Sequence, residues 1–146
     1  MTVDVEVHTT IDRPRREVAA YCCDPANITA WNANIQAVQW DSDERCTVGS
    51  RLRFVSGFLG RRMEYTCEVT ELVPDERWVM RSERPSFLVE TSYLWDDAED
   101  GGTWMTVRNR GEPTAFAGLA APIVATALRR ATAKDLDRLK RLLEAR

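Results

Sequence analysis

The chain has one histidine, four cysteines without paired spacing, seven glycines and no hydrophobic run long enough to cross a bilayer. Each shortage closes a class of function. His8 falls on the outward side of an alternating segment, so no zinc site and no Ser-His-Asp or Cys-His machinery can be assembled around it. Cys22 and Cys23 are adjacent while Cys46 and Cys67 stand alone, which gives neither a CxxC pair nor a disulfide framework; reduced thiols in a cytoplasm are expected. Gly57, Gly60, Gly101 and Gly102 lie in strand connections, not after a buried parallel strand, so they make turns and no phosphate loop. No stretch approaches the ~18 apolar residues of a membrane span. The N-terminus lacks the charged and apolar regions of a signal peptide, so neither export nor an integral membrane segment is expected. Basic charge is also missing: the net charge is −3, which argues against nucleic acid as a partner, because phosphate recognition needs a basic field. No metal or cofactor is expected.

What the chain does have is 146 residues with 44% hydrophobic and 29% charged side chains, enough to bury a core in one domain spanning residues 1–146. Val3, Val5, Val7, Thr9 and Ile11 alternate with Asp4, Glu6, His8 and Thr10, the period of a half-buried strand. Val18, Ala19, Tyr21 and Cys22 then recur at helical spacing, and Asp24-Pro25 has the form of a cap followed by a first helical residue, so two short helices are predicted, ending near Trp31 and Asn32. Six strands follow, at about Ile35–Asp41, Ser50–Ser56, Arg62–Leu72, Trp78–Glu83, Phe87–Trp95 and Thr103–Gly111, separated by short turn-rich links that favour antiparallel pairing. From Ala115 onward Ala, Leu and Arg dominate, predicting one long terminal helix kinked by Pro122. Arginine far outnumbers lysine, the bias of a GC-rich bacterial genome, and the cations of the last helix are read as a solvated face that complements the helix dipole.

The strands divide into two faces. Met63, Tyr65, Cys67 and Val69, then Trp78 and Met80, then Val89, Thr91, Tyr93 and Trp95, then Met105 and Val107 share one parity; Glu64, Glu68, Arg81, Glu83, Glu90, Arg108 and Arg110 share the other. One face is dry and the other wet, as in an antiparallel sheet covered on one side.

The stretches IDRPRREVAAYCCDPANITAWN, VGSRLRF, MEYTCEVTELVPDERWVMRSE, GGTWMTVRNRGE and GLAAPIVATALRRATAKDLDRLKRLLE carry a resemblance over essentially the whole chain. In this order they resemble the SRPBCC superfamily, which has a START-like or Bet v 1-like helix-grip fold, and within it the polyketide cyclase/dehydrase and lipid-transport branch. The resemblance implies an α+β fold: a curved seven-stranded antiparallel sheet wrapped around a long C-terminal helix, with two short helices after strand 1 and a hydrophobic cavity between sheet and helix. It brings no invariant catalytic residues.

The candidate cavity walls are Trp31, Phe54, Tyr65, Trp78, Met80, Tyr93 and Trp95, with Asn109 as a polar residue on the dry parity and Leu119 and Ile123 from the helix. Tyr65 and Tyr93 add hydroxyls that can orient a phenol or carbonyl among apolar walls. Glu71 and Arg53 are further polar candidates; an inward pair of this kind would point to acid-base chemistry. The expected role is to bind a small hydrophobic molecule, a lipid, quinone or polyketide-like aromatic, as a carrier. The alternatives are a cyclase or dehydrase acting in the same cavity, and a partner-binding domain of the Hsp90-cochaperone type. The oligomeric state is left open.

Overall fold

The computed structural model describes residues 2–146. The elements are β1 (Val3–Ile11), α1 (Arg15–Cys22), α2 (Pro25–Trp31), β2 (Ile35–Trp40), β3 (Arg51–Phe58), β4 (Arg61–Val73), β5 (Arg77–Ser82), β6 (Leu88–Asp97), β7 (Thr103–Glu112) and α3 (Ala121–Glu144). All strand pairs are antiparallel, in the order β1-β7-β6-β5-β4-β3-β2. Successive strands from β2 to β7 are neighbours, as short turns require. The exception is β1, which pairs with β7 from Val3↔Gly111 to Ile11↔Thr103. The chain must therefore pass from one edge of the sheet to the other between β1 and β2, and α1 and α2 make that crossing. Asp24 sets the start of α2: its Oδ1 accepts the Ala26 N–H at 3.0 Å, and Pro25 occupies the first turn, where its missing N–H costs nothing.

The wet face is laced with cross-strand ion pairs, among them a two-bond Arg108–Asp4 contact at 2.9 and 2.7 Å and Arg110–Glu90 at 3.0 Å. Exposed pairs of this kind add little to stability, ~0–1 kcal/mol each, and serve chiefly to keep that face in water. On the dry face the buried side chains form two clusters. One is built around Trp78, Trp95, Leu136, Leu139 and Leu143; the other around Val3, Val5, Met63, Phe116 and Val124.

Two sequence expectations are corrected. The terminal helix does not run from Ala115 with a kink at Pro122. Residues Thr114–Phe116 form a single 3-10 turn, and α3 begins at Ala121 with Pro122 in its first turn. Proline lacks an N–H and collides with the carbonyl four residues earlier, a conflict that disappears where no earlier turn exists. The second correction concerns Glu71 and Arg53. A β-bulge between Val69 and Glu71 inserts one residue opposite β5, so inward parity passes from Val69 to Leu72 and Glu71 turns to water, where it pairs with Arg77 at 3.1 Å. Arg53 is likewise exposed and lies 3.7 Å from Glu64.

Of the glycines, Gly111 leaves the least room for a side chain. Its φ of 154° lies outside the range other residues favour, and a Cβ there would stand 2.0 Å from the Leu88 carbonyl oxygen. Gly111→Ala should cost at least about 2 kcal/mol, because strain and overlap act together. Gly118→Ala, with nothing within 4 Å of the added carbon, should stay within about 0.5 kcal/mol. Urea unfolding of the two variants beside the parent protein measures both.

Candidate functional site

Between the two core clusters lies a cavity of about 140 Å³. The helical wall is one stripe of α3, Val124, Leu128, Ala131, Thr132 and Asp135, whose spacing repeats the helical turn. The sheet wall is made by alternate residues of its strands, such as Phe54 and Ser56 of β3, Met63, Tyr65 and Cys67 of β4, and Thr91 and Tyr93 of β6. Trp31 and Asn32, at the end of α2, border the remaining side.

The two ends differ in chemistry. Near the β3–β4 hairpin and the approach to α3, Phe58, Phe87 and Phe116 form an aromatic group, with ring centroids 5.5 Å apart for Phe58–Phe116 and 6.5 Å for Phe87–Phe116. Both contacts are edge-to-face, the arrangement the ring quadrupole favours. At the opposite end Trp31 and Tyr93 rings meet at 5.8 Å, and beyond them Trp78 and Trp95 are fully buried. Polar groups are spread along the wall, Tyr93 and Asn32 at this end and Tyr65 beside Phe87 toward the other, with ring centroids 4.8 Å apart. Burial pushes the Tyr93 phenol above its ordinary value, with the Asn32 amide beside it pulling the other way. Tyr65 is raised for the same reason, with Ser56 beside it. Asn109 is held by Thr91, whose Oγ1 lies 2.6 Å from its Oδ1.

Asp135 is the buried carboxylate of this wall. Its Oδ1 accepts the Ala33 N–H at 3.1 Å and lies 3.5 Å from Arg138 Nη1. Arg138 in turn donates to the Trp31 carbonyl at 3.0 Å. One turn of α3 thus fixes both ends of the α2–β2 corner. Burial pushes the Asp135 carboxyl up to about 6, against the lowering effects of the Ala33 N–H and the Arg138 charge.

Of the residues singled out from sequence, Trp31, Phe54, Tyr65, Met80, Tyr93 and Asn109 border the cavity. Trp78 and Trp95 do not: both are inward but lie one layer deeper, in solid core. Leu119 and Ile123 are corrected as wall residues, being 41% and 55% exposed. The reason is the later start of α3, which leaves Leu119 before the helix and turns Ile123 outward, so that Phe116 and Val124 take the positions expected of them. The His8 and Trp104 rings meet at a tilt, centroids 4.5 Å apart, on the outer side of β1 and β7. Sequence reasoning missed Asp135, Thr132, Asn32, Ser56 and the three phenylalanines. Asp135 did carry a signal: it is a charged residue on the apolar stripe of α3, adjacent to Leu136 and seven residues beyond Leu128.

A seven-stranded antiparallel sheet closed over one long C-terminal helix, with the cavity between them, defines a protein of the helix-grip, Bet v 1-like class. The chain belongs to the polyketide cyclase / dehydrase and lipid transport family, which it matches over residues 2–144. Its fold is similar to that of a protein from Thermus thermophilus, with TM-score 0.80 at 19% identity and 94% of each chain covered. It is also similar to Ara h 8.0201, with TM-score 0.72 at 11% identity and 100% of each chain covered. The ginseng major latex-like protein 151 from Panax ginseng gives TM-score 0.70 at 16% identity, covering 99% of this chain and 96% of that one. No protein of curated function matches the sequence. Among the described residues no helix is long and apolar enough to cross a membrane.

The raised Asp135 carboxyl sets a pH dependence. Between its ordinary value of 3.8 and about 6, the folded protein holds a proton that the unfolded chain has released. Stability therefore falls as pH rises through that window, and the penalty is complete above it. The groups that face this carboxyl are Arg138 on α3, Tyr93 on β6 and the Ala33 N–H. Asp135→Asn keeps an acceptor for Ala33 and carries no charge. Relative to the parent, it should gain about 1–2 kcal/mol between pH ~4 and pH ~7.5, a value that allows for solvent screening at the cavity wall. Denaturant titrations at the two pH values check the sign.

Proposed function

We propose that the protein holds a small hydrophobic molecule between the sheet and α3, acting as a binding or carrier protein. The observation that carries this reading is the partly open gap between two buried clusters, lined by aromatic and aliphatic side chains with a few polar groups among them. Close packing is the rule in protein interiors, and binding sites combine apolar walls with a small number of placed polar atoms. Its size is close to the ~150 Å³ of an engineered apolar cavity that accepts benzene, so the resting form suits one aromatic ring or a chain of similar girth. Membership of a family described by cyclase, dehydrase and lipid-transport roles supports the same class of ligand. A cytoplasmic setting agrees with four free thiols.

A second reading, cyclase or dehydrase chemistry, is favoured by Asp135 alone. A carboxyl poised near neutral pH beside a ligand is equipped to move a proton. Arg53 and Glu71, the pair that would have strengthened it, face water.

Native mass spectrometry of the protein purified from its own host, followed by extraction and analysis of the released small molecule, tests the proposal. A retained lipid, quinone or aromatic supports the carrier; conversion of an added poly-β-keto substrate by the purified protein supports the enzyme; repeated recovery of the bare chain counts against both. Ala131→Phe places a ring in the gap from the helical side. It should abolish uptake of a one-ring probe such as toluene while leaving the thermal midpoint within a few degrees of the parent or above it. Toluene-dependent chemical shifts and a melting curve read the two effects.

A further inference from the structure

Thr91 and Asn109 stand directly opposite one another on β6 and β7, and both line the cavity. Thr91 Oγ1 donates to Asn109 Oδ1 at 2.6 Å. That length belongs to an O–H···O bond and is short for N–H···O, so it fixes how the amide is turned: oxygen toward Thr91, Nδ2 away from it. On its other side Asn109 faces Val5 of β1, and its inward neighbours along β7 are Val107 and Gly111. None of the three offers a side-chain acceptor, and Gly111, which lines the cavity without a side chain, keeps the space beside the amide open. Among the described residues Nδ2 makes no hydrogen bond. Nor is it sealed off: the side-chain nitrogens that lack both a partner and contact with solvent are the indole nitrogens of Trp31, Trp78 and Trp95, and Nδ2 is not one of them. The cavity wall thus carries an oriented, reachable and unpaired donor with apolar neighbours.

We infer that Asn109 Nδ2 is the donor that fixes a ligand carbonyl in this cavity, with Thr91 as the positioning residue that holds the amide, so that the protein selects aromatic ketones or quinones over hydrocarbons of the same shape. This deepens the binding role proposed above and rests on it. A carbonyl oxygen only accepts, which matches an amide whose own acceptor is already occupied by the Thr91 hydroxyl. A hydrocarbon in the same place buries the N–H without a partner, which costs more than the hydrogen bond gains. The sheet sets the distance to the apolar part of the ligand. Tyr93 and Val107 face each other one rung deeper, two residues along each strand and therefore ~7 Å away, close to the length of one aromatic ring. A carbonyl bonded to Asn109 places an inward-pointing ring against Tyr93.

The test uses acetophenone and α-methylstyrene, which share one planar skeleton with a carbonyl in the first and a carbon–carbon double bond in its place in the second. Both are titrated into the parent protein, Asn109→Leu and Thr91→Val. The quantity compared is the ratio of the two dissociation constants in each protein, which cancels the difference in how readily the probes leave water. Asn109→Leu should shift this ratio about tenfold against acetophenone, the size of one buried hydrogen bond lost. Thr91→Val frees the amide to turn and should shift it the same way by a smaller factor, about threefold. In nitrogen-labelled parent protein the assigned Asn109 side-chain amide protons should move downfield with acetophenone and not with α-methylstyrene. A role for Asn109 in packing alone would weaken both probes alike and leave the ratio where it was. An unchanged ratio in folded Asn109→Leu, or amide protons that respond equally to both probes, overturns the carbonyl assignment and leaves the carrier reading standing. Should Asn109→Leu not fold, the amide protons of the parent and the Thr91→Val ratio decide in the same way. Failure of both probes to bind the parent protein overturns both.

Discussion

A single helix cannot cover the inner face of a seven-stranded sheet. Six inter-strand spacings of ~4.8 Å make a surface close to 30 Å wide, whereas a helix with its side chains is ~10–12 Å across. The sheet must curl around α3, and the concave space that remains must be filled by large side chains or left open. Both outcomes occur along the same helix. Over Leu136, Leu139 and Leu143 the space is filled by Trp78 and Trp95; over Val124 to Asp135 the facing residues are smaller or lie nearer the edges, and a gap persists.

That constraint gives the α2–β2 corner its importance. Trp31 closes the gap from the side, and its place is set from α3: Arg138 holds its carbonyl and Asp135 holds the N–H of Ala33, two residues further on. The helix that forms one wall therefore also positions another. The connection passes through a buried charge, which is costly unless it is well partnered, and the single backbone donor and marginal guanidinium contact leave Asp135 only partly compensated. An apolar residue of similar size in its place would stabilise the fold better.

Much of the architecture was legible in the chain. The strict alternation in β1, the Asp24-Pro25 start of α2 and the shared parity of Tyr65, Met80 and Tyr93 depend on neighbours within a few residues, where period two and helix-capping chemistry leave little choice. Parity also placed Trp78 and Trp95 inward, as they are. It carried no information on depth: a tryptophan in solid core and a tyrosine at a cavity wall follow the same alternation. The bulge at Thr70 defeated parity for Glu71, because an unpaired residue is defined by the partner strand and not by its own. Leu119 and Ile123 were misplaced because composition extended the helix through Gly118 to Ala115, whereas the chain needs those residues to turn from the end of β7 back over the sheet.

The sequence by itself thus determined the elements, their order, the face each strand presents to the interior and the residue types available there, since all of these follow from local periodicity and backbone preference. The tertiary structure alone decided where along α3 the core stops being solid, which aromatic residues border the resulting gap, and that Asp135 and Trp31 both line it. Those facts depend on the curvature of the sheet, the register between strands distant in the chain and the first residue of the last helix. They are properties of how surfaces meet, and no single segment carries them.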